Sequence, residues 1–484
     1  MTRNRGTRSC LSGLGRRMAA DERGITAVVT ALGIVVLMGF AGLGVDVTKW
    51  LSSTRAIQAA ADQAAYSAAS AAGTTFCPND ASTTQAKAVA AARGFIHGQD
   101  DTQVLVTCPS TESFKVEITQ AQPMWFTRMF LETAPSATRS AAARVAGKKT
   151  DLCILALDGT NPSEAHVGAD ANVLAVQGAA AANLNCGVAV DSSSSYSLQA
   201  GSNAASLTAT NVYLVGDMLP QSNGYTPNIT VTGCSTCDPV IPPNTILKYQ
   251  RAVSDPYANR TVPAHSCSTT AGVTVTGTNL NPSNGTTSSG GTGIFCGGLN
   301  ISPGSGTGNN VTVGCGTYVI AGGQLAIDSN AKVVQSTGCT TGVTFILTNS
   351  APGVNDYARV NYQGNNSGKL ILTAPSSGAY GGLVFFQDRD APSPSSSEID
   401  GSTSCGGGSK QNKFSGQAQI ALTGALYFPS QTLCYAGGSS TDSANRCTQI
   451  IAYNLIFTGS PSIKSQCDGV GIANMTVPVP TLIQ

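Results

Sequence analysis

Charge is scarce in this sequence. Asp, Glu, Lys and Arg make up 11% of its 484 residues, and the net charge is +1. An ordinary soluble domain carries about a quarter charged residues. A near-neutral chain presents no broad field to a polyanion, so nucleic acid is not expected as a partner. Histidine is scarcer still, with His97, His166 and His265 far apart along the chain. There is one Cys-x-x-Cys, Cys234 to Cys237, and no second, so a structural zinc site lacks its ligands. That pair stands in a Pro/Thr-rich loop and not at a helix start, which argues against a thioredoxin-like role. The sequence has no Gly-x-Ser-x-Gly, no phosphate-binding glycine loop and no His-Glu-x-x-His. No catalytic residue, cofactor or metal is therefore assigned. The best remaining cluster is Asp388-Arg389-Asp390, after the apolar Leu383 to Phe386. Glycosidic bond cleavage needs two flanking carboxylates. The plainer reading is a charged turn that ends a strand, with Arg389 paired to a neighbour. An enzyme is not expected.

Long hydrophobic runs are also few, and one stands out. Gly24 to Val45 reads GITAVVTALGIVVLMGFAGLGV, 22 residues without a charge, closed by Asp46. As a helix it spans roughly 33 Å, enough for a hydrocarbon core of about 30 Å. Its start is positively charged, but it outlasts a secretory signal and no Ala-x-Ala site closes it. The expectation is an uncleaved signal anchor. Arg3, Arg5, Arg8, Arg16, Arg17 and Arg23 precede it against Asp21 and Glu22, while Asp46, Lys49, Arg55 and Asp62 follow it nearly in balance. The positive-inside rule then keeps the N-terminus cytoplasmic and exports the rest. Trp50 follows the span, where an aromatic ring can lie at headgroup level.

The helical pattern continues past the span. Val47, Trp50, Thr54, Ile57, Ala61, Ala64, Ala68 and Ala71 recur at alternating spacings of three and four, and no Gly or Pro intervenes between Val45 and Gly73. Such a small-residue seam admits close approach of a second helix, or packs on the chain's own next domain. The chain divides accordingly: a cytoplasmic Arg-rich tail (1–23), the transmembrane helix (24–45), its extension (46–73), a small α/β unit (74–150) and an all-β body (151–484).

RGITAVVTALGIVVLMGFAGLGVDVTKWLSSTRAIQAAADQAAYSAA resembles the N-terminal region of TadG-like proteins of the Flp (tight adherence) pilus-assembly system. The residues that carry the likeness are Arg23-Gly24, Gly39 to Val47 and Ile57 to Ala65. The resemblance implies a bacterial inner-membrane anchor, a periplasmic body, and other pilus-assembly proteins besides the lipid bilayer as partners. Two departures accompany it. Pilins of this system carry Glu five residues after the processed Gly, where this chain has Val29, so the resemblance does not extend to prepilin-peptidase cleavage. Some TadG-like proteins carry a von Willebrand A domain with an Asp-x-Ser-x-Ser metal motif. The nearest run here is Asp158-Gly159-Thr160-Asn161-Pro162, where Pro162 replaces the last hydroxyl, so no metal site is expected.

Within 74–150, Ala86 to His97 reads as a helix, Val104 to Val106 and Phe114 to Ile118 as strands, and Ser136 to Ala146 as Ala-rich alternation. Pro123 to Leu131 (PMWFTRMFL) is the most apolar stretch outside the span. It is expected in the core, the alternative being a face that touches lipid or a partner.

The fifteen cysteines divide by topology. Cys10 is on the tail side; Cys77, Cys108, Cys153, Cys186, Cys234, Cys237, Cys267, Cys296, Cys315, Cys339, Cys405, Cys434, Cys447 and Cys467 follow the span. An even exported set suggests disulfides, paired mostly between neighbours. From Asp151 short apolar clusters alternate with Gly/Ser/Asn turns: Leu299 to Ile301, Val311 to Val313, Tyr318 to Ile320, Leu325 to Ile327, Val343 to Leu347, Leu370 to Leu372, Leu383 to Phe386, Ile420 to Leu422, Leu426 to Phe428 and Leu455 to Phe457. Such clusters predict a parallel β-helix, with a jelly roll or β-sandwich as the alternative. Three functions compete: an assembly component of an envelope appendage, an adhesin that binds glycans or partners along the β body, and a carbohydrate-active enzyme. Exposed aromatic stripes would favour the second, and paired carboxylates in a cleft the third.

Overall fold

Alanine spacing and apolar alternation build the first of two units, which comprises residues 1–146 and 480–484. The structure is a computed structural model. It describes residues 22–71, 80–110, 113–149, 152–158, 173–201, 204–218, 226–235, 237, 240–304, 306, 308–393, 411–435, 447–458, 462–463 and 470–483. Helix α1, Glu22–Ala71, runs unbroken through the apolar stretch and its extension. Helix α2 is Asp80–Ala92, with Asp80 in its first turn where the helix dipole favours an anion. It starts and stops earlier than the sequence pattern predicts. Gly94 takes φ +90°, and Phe95 N donates to Ala90 O at 2.9 Å, a left-handed glycine stop.

Strands β1 (Gln103–Ser110), β2 (Ser113–Ala121) and β3 (Ser136–Lys149) pair antiparallel in a sheet whose fourth member, beside β3, is the terminal strand Thr476–Ile483. Ile57, Ala60, Ala61, Ala64, Ala65, Ala68 and Ala69 of α1 are buried with Ala86 and Ala90 of α2 and with Val104, Phe114, Val116 and Ile118 of the sheet. Methyl-sized side chains let α1 lie close to both neighbours. The lower seam thus faces the chain's own α2 and sheet.

The second unit, residues 147–479, is a β body. Nearly all its described ladders are parallel, and from Thr292–Cys296 to Lys369–Thr373 each strand pairs with one three positions on in the chain. Thr292–Cys296 pairs with Gly316–Ala321, which pairs with Val343–Thr348 and then Leu383–Gln387. Beside this ladder run Leu299–Ile301, Gln324–Ile327, Arg359–Gly364 and Gln411–Gly416. A third comprises Asn310–Val313, Lys332–Gln335 and Lys369–Thr373. The long strand Gln419–Tyr435 joins all three in turn. Sandwiches and jelly rolls are antiparallel. In this body the antiparallel pairings among described residues are the hairpin Thr287–Ser289 with Thr292–Cys296 and one bridge, Cys234 to Ile241.

Chain order and spatial order differ. Leu152–Ala156 and Leu174–Gln177, at the start of the body, pair with Thr448–Thr458 near its end. From there the chain stacks through Gly187–Val190 and Val212–Leu214 to Ile246–Leu247. Residues 251–269 then travel back along the first ladder. Val253 N donates to Asp191 Oδ1 at 2.9 Å, the Tyr257 and Tyr427 rings lie 5.5 Å apart, Tyr380 Oη donates to Thr261 O at 2.9 Å, and His265 Nε2 lies 2.8 Å from Asn349 O. The remaining strands then refill the stack towards the starting point.

Inside, the apolar triplets stack ring on ring. Phe295, Tyr318, Phe345 and Phe385 follow one another at 5.9, 4.9 and 5.5 Å. The corner between the first and second ladders is made of Gly297-Gly298 in one turn and Gly322-Gly323 in the next, all at positive φ. A Cβ on Gly323 would run into the Gly297 carbonyl oxygen, so the stacked corners exclude any side chain there. A buried amide network lies where Gln387 Nε2 donates to Gln431 Oε1 at 2.8 Å and Asn412 Nδ2 reaches both side chains.

Cys153–Cys186, Cys234–Cys237, Cys267–Cys296 and Cys315–Cys339 are disulfides. Each joins cysteines consecutive in the sequence. Cys108, Cys434 and Cys447 are also disulfide-bonded. Cys10, Cys77, Cys405 and Cys467 lie outside the described residues, as does the run from Gly159 to Pro162.

Candidate membrane-proximal site

The part of α1 from Thr26 onward is long and apolar enough to cross a membrane, and 6% of its most apolar window is covered by protein. Val35, Val36, Leu37, Met38 and Phe40 are exposed, as lipid-facing side chains must be. Two residues near the end of the span break this pattern. Gly42 is buried, and Asp46, one turn later, is 1% exposed.

The segment after β2 covers them. The ring of Phe126 lies over Gly42, where a Cβ would stand 2.5 Å from the ring. Asp46 Oδ2 accepts from the backbone N–H of Phe126 at 2.9 Å and Thr127 at 2.7 Å, and from Thr127 Oγ1 at 2.8 Å. The Trp125 N–H approaches the same carboxylate at 3.3 Å. One further turn along, Trp50 Nε1 donates to Pro123 O at 2.9 Å. Gly42, Asp46 and Trp50 stand at i, i+4 and i+8, one stripe of a helix. The carboxylate satisfies the free N–H groups of the short 3₁₀ turn Thr127–Met129. Of this stripe only Trp50 belongs to the seam expected from the sequence, and Asp46 reads there only as the residue that closes the span.

This corrects the expectation that Pro123 to Leu131 is core. Trp125, Met129 and Phe130 are 66%, 82% and 76% exposed, and Phe126 and Leu131 are exposed too. The cause is the direction of the backbone bonds: Asp46 draws the N–H groups inward and Phe126 covers Gly42, while Trp125, Met129 and Phe130 stay exposed. Of the seam, Ile57, Ala61, Ala64 and Ala68 are buried, whereas Val47 is exposed and Trp50 half-exposed. Beside the stripe, Lys49, Ser52, Ser53 and Ala56 line an open groove of about 650 Å³ with Asp100, Asp101 and residues 120–123.

In the body, Arg389 makes an ion pair with Asp255 and a hydrogen bond to Tyr427 Oη. Tyr427 Oη donates to Asp255 Oδ2 at 2.8 Å, and the guanidinium lies 5.8 Å from the Tyr427 ring centre. Burial opposes charge on Arg389, but Asp255 and Tyr427 more than offset it. Burial first, then the Asp255 charge, pushes the Tyr427 phenol up. Asp388 Oδ2 accepts from Thr348 Oγ1 at 2.7 Å, and its Oδ1 accepts from Asp390 N at 3.1 Å. The Asp388 carboxylate thus serves the turn, and the arginine joins the returning segment to the ladder.

Residues 24–71 match the family described as putative Flp pilus-assembly TadE/G-like. The matched stretch holds the apolar span, Asp46 and the alanine seam. It stops at the end of α1, so the sheet unit and the β body lie beyond it. No curated protein and no solved structure matches the chain.

Proposed function

We propose that this chain is an inner-membrane-anchored, extracytoplasmic structural component of a tight-adherence (Flp) pilus-assembly system. Its N-terminus lies in the cytoplasm and its sheet unit and β body in the periplasm. The observation that carries the proposal is the coincidence of the family match with the apolar span and with Asp46. The orientation rests on the arginines before the span. We read the three ladders as the faces of a parallel β-helix, a form that gives a long rigid surface with few moving parts. Its function in this reading is assembly, with no catalytic step. In the charged cluster weighed for catalysis, Arg389 is held by Asp255 and Tyr427, and Asp388 accepts from Thr348. An adhesin reading draws less support: most of the large body aromatics, Tyr318, Tyr362, Phe345 and Phe386 among them, are buried.

The test is deletion in the native host, complementation with the full chain, and recovery of the tagged chain from detergent-extracted membranes. Loss of pili on deletion and co-recovery of pilus-assembly proteins are expected. Normal piliation in the deletion strain overturns the proposal.

A further inference from the structure

We propose that the segment Pro123–Leu131 is a second membrane contact, seated in the boundary between lipid headgroups and acyl chains beside the end of the span. The inference rests on the reading of α1 as the membrane anchor, and it holds for either direction of crossing.

Position is the first argument. Phe126 packs on Gly42, three residues before Val45, so its ring lies roughly 4.5 Å inside the end of the apolar run. Whatever surrounds α1 at that level must surround Phe126 as well. Leu43 and Val45 are exposed on the same turns, so the lipid that covers them continues onto the loop. The attachment is built rather than incidental. Three consecutive backbone N–H groups of the loop point at the buried Asp46 carboxylate, and Trp50 Nε1 holds Pro123 O.

Chemistry is the second argument. Trp125, Met129, Phe130 and Leu131 are all exposed around one short turn. In water such exposure is costly. At the boundary the indole ring finds its preferred level. Arg128, exposed within the same turn, reaches outward to phosphate groups while its stem stays among the apolar side chains. The chain thereby grips the bilayer at two points, which fixes its rotation about the span axis as well as its depth.

Trp50 and Trp125 are the two tryptophans of the chain, which makes the loop directly observable. The full-length protein is reconstituted in vesicles of phosphatidylcholine and phosphatidylglycerol. Trp50→Phe leaves Trp125 as the sole indole. The difference in emission between wild type and Trp125→Phe reports the same indole without disturbing the Trp50 bond. Expected is a blue-shifted Trp125 emission that loses most of its intensity to lipids brominated near the headgroup, with little loss to aqueous acrylamide. An emission typical of water-exposed indole, quenched by acrylamide and untouched by brominated lipid, overturns the inference if the protein still floats with the vesicles and resists carbonate. The anchor reading survives that result. Protein that does not float with the vesicles removes both.

Discussion

A carboxylate next to an apolar span is stable in a buried position only if donors replace the water it loses. Asp46 meets this condition with backbone N–H groups that a 3₁₀ turn leaves free and with the Thr127 hydroxyl. Replacing Asp46 with Ala strands those donors, and the loop should loosen from α1. Trypsin should then cut after Arg128 faster than in the wild type, with Asp46→Asn in between. An unchanged cleavage rate would mean that Asp46 does not hold the loop. Asp191 supplies a pH test in the body. Burial pushes its pKa up to about 7, with the neighbouring Asp255 charge adding to the rise and the Val253 N–H opposing it. The folded chain therefore keeps a proton that the unfolded chain, with a pKa near 3.9, has already released. This contribution to stability is fully present below about pH 4 and is lost as pH rises to about 7. Asp191→Asn retains an acceptor for Val253 and should flatten the fall in denaturation midpoint between about pH 5 and about pH 8. An equally steep fall in the variant would assign it to other groups.

The elements divide into those legible in sequence and those that needed long-range partners. The span, its helical extension and the short body strands could be read, because hydrophobic run length and cluster spacing are local signals. Leu299 to Ile301, Val343 to Leu347 and Leu383 to Phe386 each fall within an observed strand. The lock at Asp46 could not, because its donors are about 80 residues away in the chain and all but the Thr127 hydroxyl are backbone groups, which leave no mark on side-chain pattern. The return of the terminal strand to the sheet of β1, β2 and β3 was hidden for the same reason, as was the pairing of Leu152–Ala156 with Thr448–Thr458. Two substitutions test the ladder packing. Gly323→Ala forces a side chain into left-handed backbone against the Gly297 carbonyl and should destabilise the body by roughly 1–3 kcal/mol or more. Phe345→Ala opens the aromatic stack between Tyr318 and Phe385 and should cost about 3–5 kcal/mol. Thermal denaturation of both variants checks this, and midpoints equal to wild type would contradict the stacking account.

At the scale of the whole molecule, the body is an insertion between two strands of one sheet, β3 and the terminal strand. The crosslinks Cys153–Cys186, Cys267–Cys296 and Cys315–Cys339 close loops of 33, 29 and 24 residues. Each can contribute roughly 3–4 kcal/mol by restricting the unfolded chain, so together they rival the stability of an ordinary domain. Protein exported by its native host should therefore show about one reactive thiol after denaturation without reductant, assigned to Cys10. Finding most of the cysteines free would remove both the exported location and the stapling argument. The central claim is that the span ties this body to the membrane for pilus assembly, and charging the span tests it most directly. In the native host, Val35→Asp, Val36→Asp and Leu37→Asp together should release the chain from carbonate-washed membranes and abolish pili, since each charge at the bilayer centre costs about 2.5–3.5 kcal/mol on insertion scales. Normal piliation by a host whose only copy carries these changes would contradict the account.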